Sequence, residues 1–202
     1  PSVLTSLALL CIGLVLFLQP PEMSLETTKQ STTTKATLDP TLVSLVVDCS
    51  DILNNNNNNT TEWIDTIYNF RMQIHNNDAV SDEIRQKKCY ECDLVPILQH
   101  ALESHKNALF LDIGANLGLY SFVALAQGHD VIAMEPVRAS YTKLCGTVVK
   151  YNFWQDHLTL VNRAASNQIG NVSFQTWPGN WAGMKMVNGG GKMEGVDYAQ
   201  TI

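Results

Sequence analysis

The chain has 202 residues, 45% of them hydrophobic, and carries 13 Lys and Arg against 19 Asp and Glu for a net charge of −6. That length accommodates one domain of ordinary size with appendages and excludes two. An acidic balance without Lys/Arg clusters interleaved with aromatics leaves no surplus for neutralising phosphates, so nucleic acid is excluded as a partner.

The first predicted element is the run Val3 to Leu18, VLTSLALLCIGLVLFL, which is uncharged and closed by Gln19, Pro20 and Pro21. As a helix it would rise about 24 Å, somewhat short of the roughly 30 Å hydrocarbon core of a bilayer. It is apolar on every face and no small-x-small cleavage site follows it, so residues 1–19 are expected to be a signal anchor, with a cleaved signal peptide as the alternative. The expected location is therefore a single-pass membrane protein with its domain in the lumen of the endoplasmic reticulum or Golgi, or else a secreted protein. Residues 20–62, rich in Thr and Ser and then in Asn, read as a low-complexity stalk that cannot bury a core. Asn58 and Asn59 open N-x-T sequons and Asn171 opens a third, in keeping with a lumenal glycoprotein; unmodified loop asparagines are the alternative.

Of the five cysteines, Cys11 lies in the apolar run and Cys145 on a predicted helix, leaving Cys49, Cys89 and Cys92. The Cys89-Tyr-Glu-Cys92 spacing invites a zinc or redox reading, but a structural zinc needs a second ligand pair of suitable spacing, and the sequence offers none. No metal is expected. A disulfide among these three and isolated buried thiols both remain open.

From residue 63 to 202 the pattern is that of an α/β domain. Arg71 to His75 predicts a strand, and Ser81 is a good N-cap for a short helix through Lys88. Asp93 to Glu103 places Leu94, Ile97, Leu98, Ala101 and Leu102 on one helical face. Ala108 to Ile113 is the first core strand, apolar until Asp112, as expected where both faces are covered. A helix over Leu117 to Gln127 follows, then a strand at Val131 to Pro136 after a connection suited to a right-handed crossover. A helix over Ser140 to Asn152 turns Leu144, Val148 and Tyr151 to one side, and Leu158 to Val161 is a third strand. Trp177 to Gly195, rich in Gly, Trp and Met, reads as a flexible insertion or lid.

The passage Leu109 to Ser121, LFLDIGANLGLYS, carries the chemistry. Strand, glycine loop and helix in succession are how α/β proteins hold a nucleoside at a strand's carboxyl end. A dinucleotide fingerprint needs small residues third and sixth from its first glycine, and counting from Gly114 these positions hold Asn116 and Leu119. A nicotinamide dinucleotide is therefore disfavoured. Acidic-x-Gly-x-Asn-x-Gly, here Asp112, Gly114, Asn116 and Gly118, instead resembles the first motif of methyltransferases that use S-adenosylmethionine. Gly114 and Gly118 would admit close backbone approach, free N–H groups at the helix start would meet the methionine carboxylate, and Asp112 would attract the ammonium. Glu135, at the end of the second strand, stands where such folds bind ribose hydroxyls. Asn162 to Ala164 follow the third strand, where a turn can present polar groups to adenine. The expected fold is a Rossmann-like, doubly wound, mostly parallel sheet with helices on both faces.

From about Met72 to Ser173 the chain resembles the FkbM family of S-adenosylmethionine-dependent methyltransferases. DAVSDEIRQKKCYECDLV, FLDIGANLGLYS, the strand ending in AMEP, the helix bearing Leu144 and Asn152, and LVNRAASNQIGNVSF carry the resemblance jointly. It implies a seven-stranded sheet and methyl transfer to an oxygen, often a sugar or small-metabolite hydroxyl. It also implies that Asp112, Gly114, Asn116 and Gly118 hold the methionine end, Glu135 the ribose, and Asn162 to Ala164 the adenine region. Family members continue beyond a segment like VDYAQTI into further strands, so the sequence is expected to be the cofactor-binding part of an enzyme with its C-terminal strands missing. The alternative is a non-catalytic or truncated binding protein without a complete acceptor site. Methyl transfer from a sulfonium is an in-line displacement, accelerated by placing the nucleophile in attack geometry, and a base assists a hydroxyl acceptor. His75, His100, His105, His129 and His157 qualify by residue type alone, and none is singled out.

Overall fold

The computed structural model describes residues 4–10, 13–18, 49, 62–151, 156–167, 170–177, 180–187 and 196–200. The expected stalk over 20–62, with the sequons at 58 and 59, lies almost wholly outside them.

Three short apolar runs form the centre. β5 (Leu109–Ile113), β6 (Val131–Met134) and β7 (Leu158–Val161) pair in parallel, with Asp112 opposite Ala133 and Ala133 opposite Leu160. Buried and half-buried positions alternate along β5 and β6, with Phe110, Asp112, Val131 and Ala133 on the buried side. α3 (Leu119–Ala126) connects β5 to β6, and α4 (Arg138–Lys150) connects β6 to β7. The protein is α/β, with a three-stranded parallel sheet flanked by helices.

Two strands extend this sheet on the other side of β5. β1 (Leu4–Leu10) and β2 (Gly13–Leu18) pair antiparallel, and β2 runs antiparallel to β5 with Leu16 opposite Leu111, giving the order β1-β2-β5-β6-β7. This corrects the expected membrane anchor and the location inferred from it. The apolar run is a hairpin in the sheet, and among the described residues no helix is long and apolar enough to cross a membrane. An apolar run without polar positions does not separate helix from strand, and the described parts of this one are two strand-length segments, Leu4–Leu10 and Gly13–Leu18.

Ahead of β5, β3 (Glu62–Asp65) and β4 (Arg71–Ile74) form a hairpin whose turn contains Asn69 in the left-handed region (φ 64°). β4 is fastened to α4 by side chains. The Gln73 N–H donates to Thr147 Oγ1 at 2.9 Å and the Arg71 N–H to the Tyr151 hydroxyl at 2.7 Å. α1 (Ala79–Lys87) is capped by Asp78, not by Ser81: Asp78 Oδ2 accepts from both the N–H (3.0 Å) and the hydroxyl (2.9 Å) of Ser81, which lies inside the helix. α2 (Val95–Ser104) buries Val95, Leu98 and Leu102, whereas Ile97, expected on that face, is 64% exposed.

Two disulfides join Cys49 to Cys145 (Cα–Cα 5.2 Å) and Cys89 to Cys92 (5.5 Å). Cys145 was expected to stand apart on its helix; it is instead the fully buried partner of Cys49. Toward the end of the chain, β8 (Asn171–Trp177), β9 (Asn180–Val187) and β10 (Val196–Gln200) form a separate antiparallel sheet in the order β10-β8-β9. Much of the expected flexible insertion is therefore strand. Met184 and Met186 alternate with Gly183 and Lys185, a period-two pattern that the surrounding glycines mask.

Candidate functional site

The loop between β5 and α3 turns sharply because three of its residues take left-handed backbone: Gly114 (φ 85°), Asn116 (φ 51°) and Gly118 (φ 86°). The N–H groups of Gly114 and Ala115 both donate to the Met134 carbonyl (2.8 and 3.0 Å), folding the loop over the end of β6. Gly118 then caps α3. A Cβ on Gly118 would lie 2.9 Å from the Phe122 ring and 3.1 Å from Leu144. Its bareness thus admits core side chains beneath the loop, a demand that the sequence reading had assigned to ligand approach.

Glu135 is 5% exposed and is held from two sides. Its Oε2 accepts the Asn116 N–H at 2.7 Å and its Oε1 the Val137 N–H at 2.8 Å, while its own N–H donates to the Val161 carbonyl at 3.0 Å. Asn162, just past β7, donates from Nδ2 to the Glu135 carbonyl at 2.7 Å and the Pro136 carbonyl at 3.2 Å. Asn116, Glu135 and Asn162, widely separated in sequence, therefore meet at the carboxyl ends of the three parallel strands. Ala164 is buried close by in sequence. Asn116 Oδ1 is buried and makes no hydrogen bond, an acceptor that a ligand N–H or O–H would satisfy.

Asp112 lies beneath the loop, 2% exposed, and accepts the Ser121 hydroxyl at 2.6 Å. Burial pushes its carboxyl up from 3.8 to about 6, against the pull of the Ser121 bonds. Glu91, which the sequence reading did not single out, belongs to the same neighbourhood. The Tyr120 hydroxyl, in the first turn of α3, donates to Glu91 Oε2. Burial, reinforced by Glu91, raises the Tyr120 phenol well above its ordinary value. The position of Glu91 between Cys89 and Cys92 was the available signal, since a C-x-x-C segment closed on itself fixes what lies inside it.

The histidines lie elsewhere. His100 and His105 belong to α2 and its end, and His129 and His157 precede β6 and β7 at the opposite end of the sheet. His75 is buried beside α4, sharing a 3.2 Å hydrogen bond with Ser140 Oγ, and burial lowers its imidazole to about 4. A cavity of about 360 Å³ lined by Leu102, Glu103, Lys106, Gln127 and His129 also opens at that opposite end. Ligands of open α/β sheets bind outside the carboxyl ends of the strands, so the glycine loop, and not this cavity, is the candidate site. Comparison with protein-family models, curated proteins and solved structures gives no match.

Proposed function

We propose that the chain binds S-adenosylmethionine across the carboxyl ends of β5 and β6, in a Rossmann-like, doubly wound arrangement. It would act as a methyltransferase of the FkbM kind on a sugar or small-metabolite hydroxyl. The observation that carries the reading is the meeting of the glycine loop with the carboxylate of Glu135 at 2.7 Å. That carboxylate stands at the carboxyl end of β6, where such folds meet ribose hydroxyls, and two backbone N–H groups fix its orientation before a ligand arrives. Gly114, Asn116 and Gly118 shape the loop around the methionine end, where the first N–H groups of α3 favour a carboxylate. Asn162 and Ala164 border the adenine side.

The bound cofactor supplies an activated sulfonium methyl. Gly114, Asn116 and Gly118 of the loop and the Glu135 carboxylate would hold and orient that group for in-line displacement by an acceptor hydroxyl. Asn116 and the buried Leu119, in place of the small residues of a dinucleotide loop, argue against a nicotinamide cofactor. Calorimetric titration tests the reading. The protein, shown to unfold cooperatively, is expected to bind S-adenosylmethionine and to give no heat with NAD; a folded protein that ignores S-adenosylmethionine refutes it.

A further inference from the structure

The ammonium of a methionine end sits on the same carbon as its carboxylate. If the carboxylate faces the first turn of α3, the ammonium needs an acceptor beside that turn. Two carboxylates are bonded to residues of that turn: Asp112, which accepts the Ser121 hydroxyl at 2.6 Å, and Glu91, which accepts the Tyr120 hydroxyl. Asp112 is poorly suited, being 2% exposed beneath the loop with an oxygen committed to Ser121. Glu91 is only partly buried and reaches the first turn of α3 from outside, through its contact with Tyr120.

The loop that carries Glu91 is built to hold it there. The Cys89–Cys92 disulfide closes it, Lys88 and Glu91 take left-handed backbone (φ 62° and 46°), and the Glu91 carbonyl accepts the Leu94 N–H at 2.8 Å. The Ile67 N–H fixes its base by donating to the Lys88 carbonyl at 3.0 Å. The two carboxylates tied to this turn, Glu91 through Tyr120 and Asp112 through Ser121, favour a cation at this wall. Independently, the buried Asn116 Oδ1 in the adjoining loop makes no hydrogen bond and is an acceptor of the kind a ligand donor satisfies.

We propose that Glu91, presented by the disulfide-closed loop and oriented by Tyr120, is the residue that receives the ammonium of the cofactor's methionine end. The proposal rests on the S-adenosylmethionine reading and corrects one part of it, the assignment of that role to Asp112.

The test compares wild type and Glu91→Gln in the full chain, each checked for cooperative thermal unfolding. Each is titrated with S-adenosylmethionine and with 5′-methylthioadenosine, which keeps the nucleoside and sulfur but has no amino-acid end. Glu91→Gln is expected to weaken S-adenosylmethionine about tenfold or more, as losing a charge-assisted bond should, and to leave methylthioadenosine within about twofold. Unchanged S-adenosylmethionine affinity, or equal loss for both ligands, would overturn the proposal while leaving the cofactor reading standing. A folded wild type that binds neither ligand overturns both.

Discussion

Asp112 makes a stability prediction with a sign opposite to the usual carboxylate. Its folded value of about 6 lies above the unfolded 3.8, so between those limits the folded chain holds the proton more tightly. At 1.36 kcal/mol per tenfold change in proton affinity, the gap corresponds to about 3 kcal/mol. That stability is present below about pH 4 and is lost as pH rises through 6. Asp112→Asn can still accept the Ser121 hydroxyl but cannot ionise. Its new amide N–H costs about 1–3 kcal/mol if it finds no acceptor, but that offset does not change with pH. The stability of the variant minus that of wild type should therefore climb by about 3 kcal/mol between pH 3.5 and 7.5, whatever its absolute sign. Urea unfolding followed by tryptophan fluorescence at half-unit pH intervals measures this. The difference is needed because His75, lowered from 6.5 to about 4, costs stability as pH falls through much of the same range and masks Asp112 in the wild-type profile. A difference that stays flat to within about 1 kcal/mol refutes the claim that Asp112 is buried and ionises at a cost.

Three further outcomes are expected. Glu135→Ala should weaken S-adenosylmethionine by about tenfold or more in a titration, and should also cost roughly 3 kcal/mol in urea unfolding because the Asn116 and Val137 amides lose a charged acceptor; loss of neither would remove Glu135 from the site. Gly118→Ala forces a side chain into left-handed backbone and against Phe122, so an unfolding loss of about 2–4 kcal/mol is expected, and a neutral result would contradict the loop geometry. Cys49→Ser opens the disulfide that spans 96 residues and strands a buried thiol at Cys145, with an expected loss of about 2–5 kcal/mol by chemical denaturation.

The parallel strands and their helices were legible because their signals are local. LFLDI, VIAM and LTLV are short apolar runs at crossover spacing, and α4 carries Leu144 and Val148 one turn apart on its buried side. The placement of Glu135 beside the glycine loop was legible for the same reason, since strand ends in a parallel sheet share one edge. The hairpin at 4–18 was not, because an apolar run has no period to separate strand from helix, and only its pairing with β5 decides the matter. Cys145 was misassigned because its partner lies 96 residues away and leaves no spacing rule to read. The C-x-x-C segment marked Glu91 as held in a closed loop, but its contact with Tyr120 across 29 residues, which brings it to the site, has no expression in that motif.

That contact belongs to a set which explains how the loop holds its shape. Asn116 in left-handed backbone is a conformation that costs a non-glycine residue on the order of 1 kcal/mol, and local sequence alone does not maintain it. Three carboxylates converge on the loop and its helix from different directions: Asp112 from below through Ser121, Glu135 from the side through the Asn116 N–H, and Glu91 from outside through Tyr120. Each bond ties the loop or the first turn of α3 to a different element, so the cost at Asn116 is offset by long-range contacts formed before any ligand arrives. A loop fixed in this way presents its N–H groups and the Asn116 Oδ1 acceptor in place, so a ligand that met them would not have to order it.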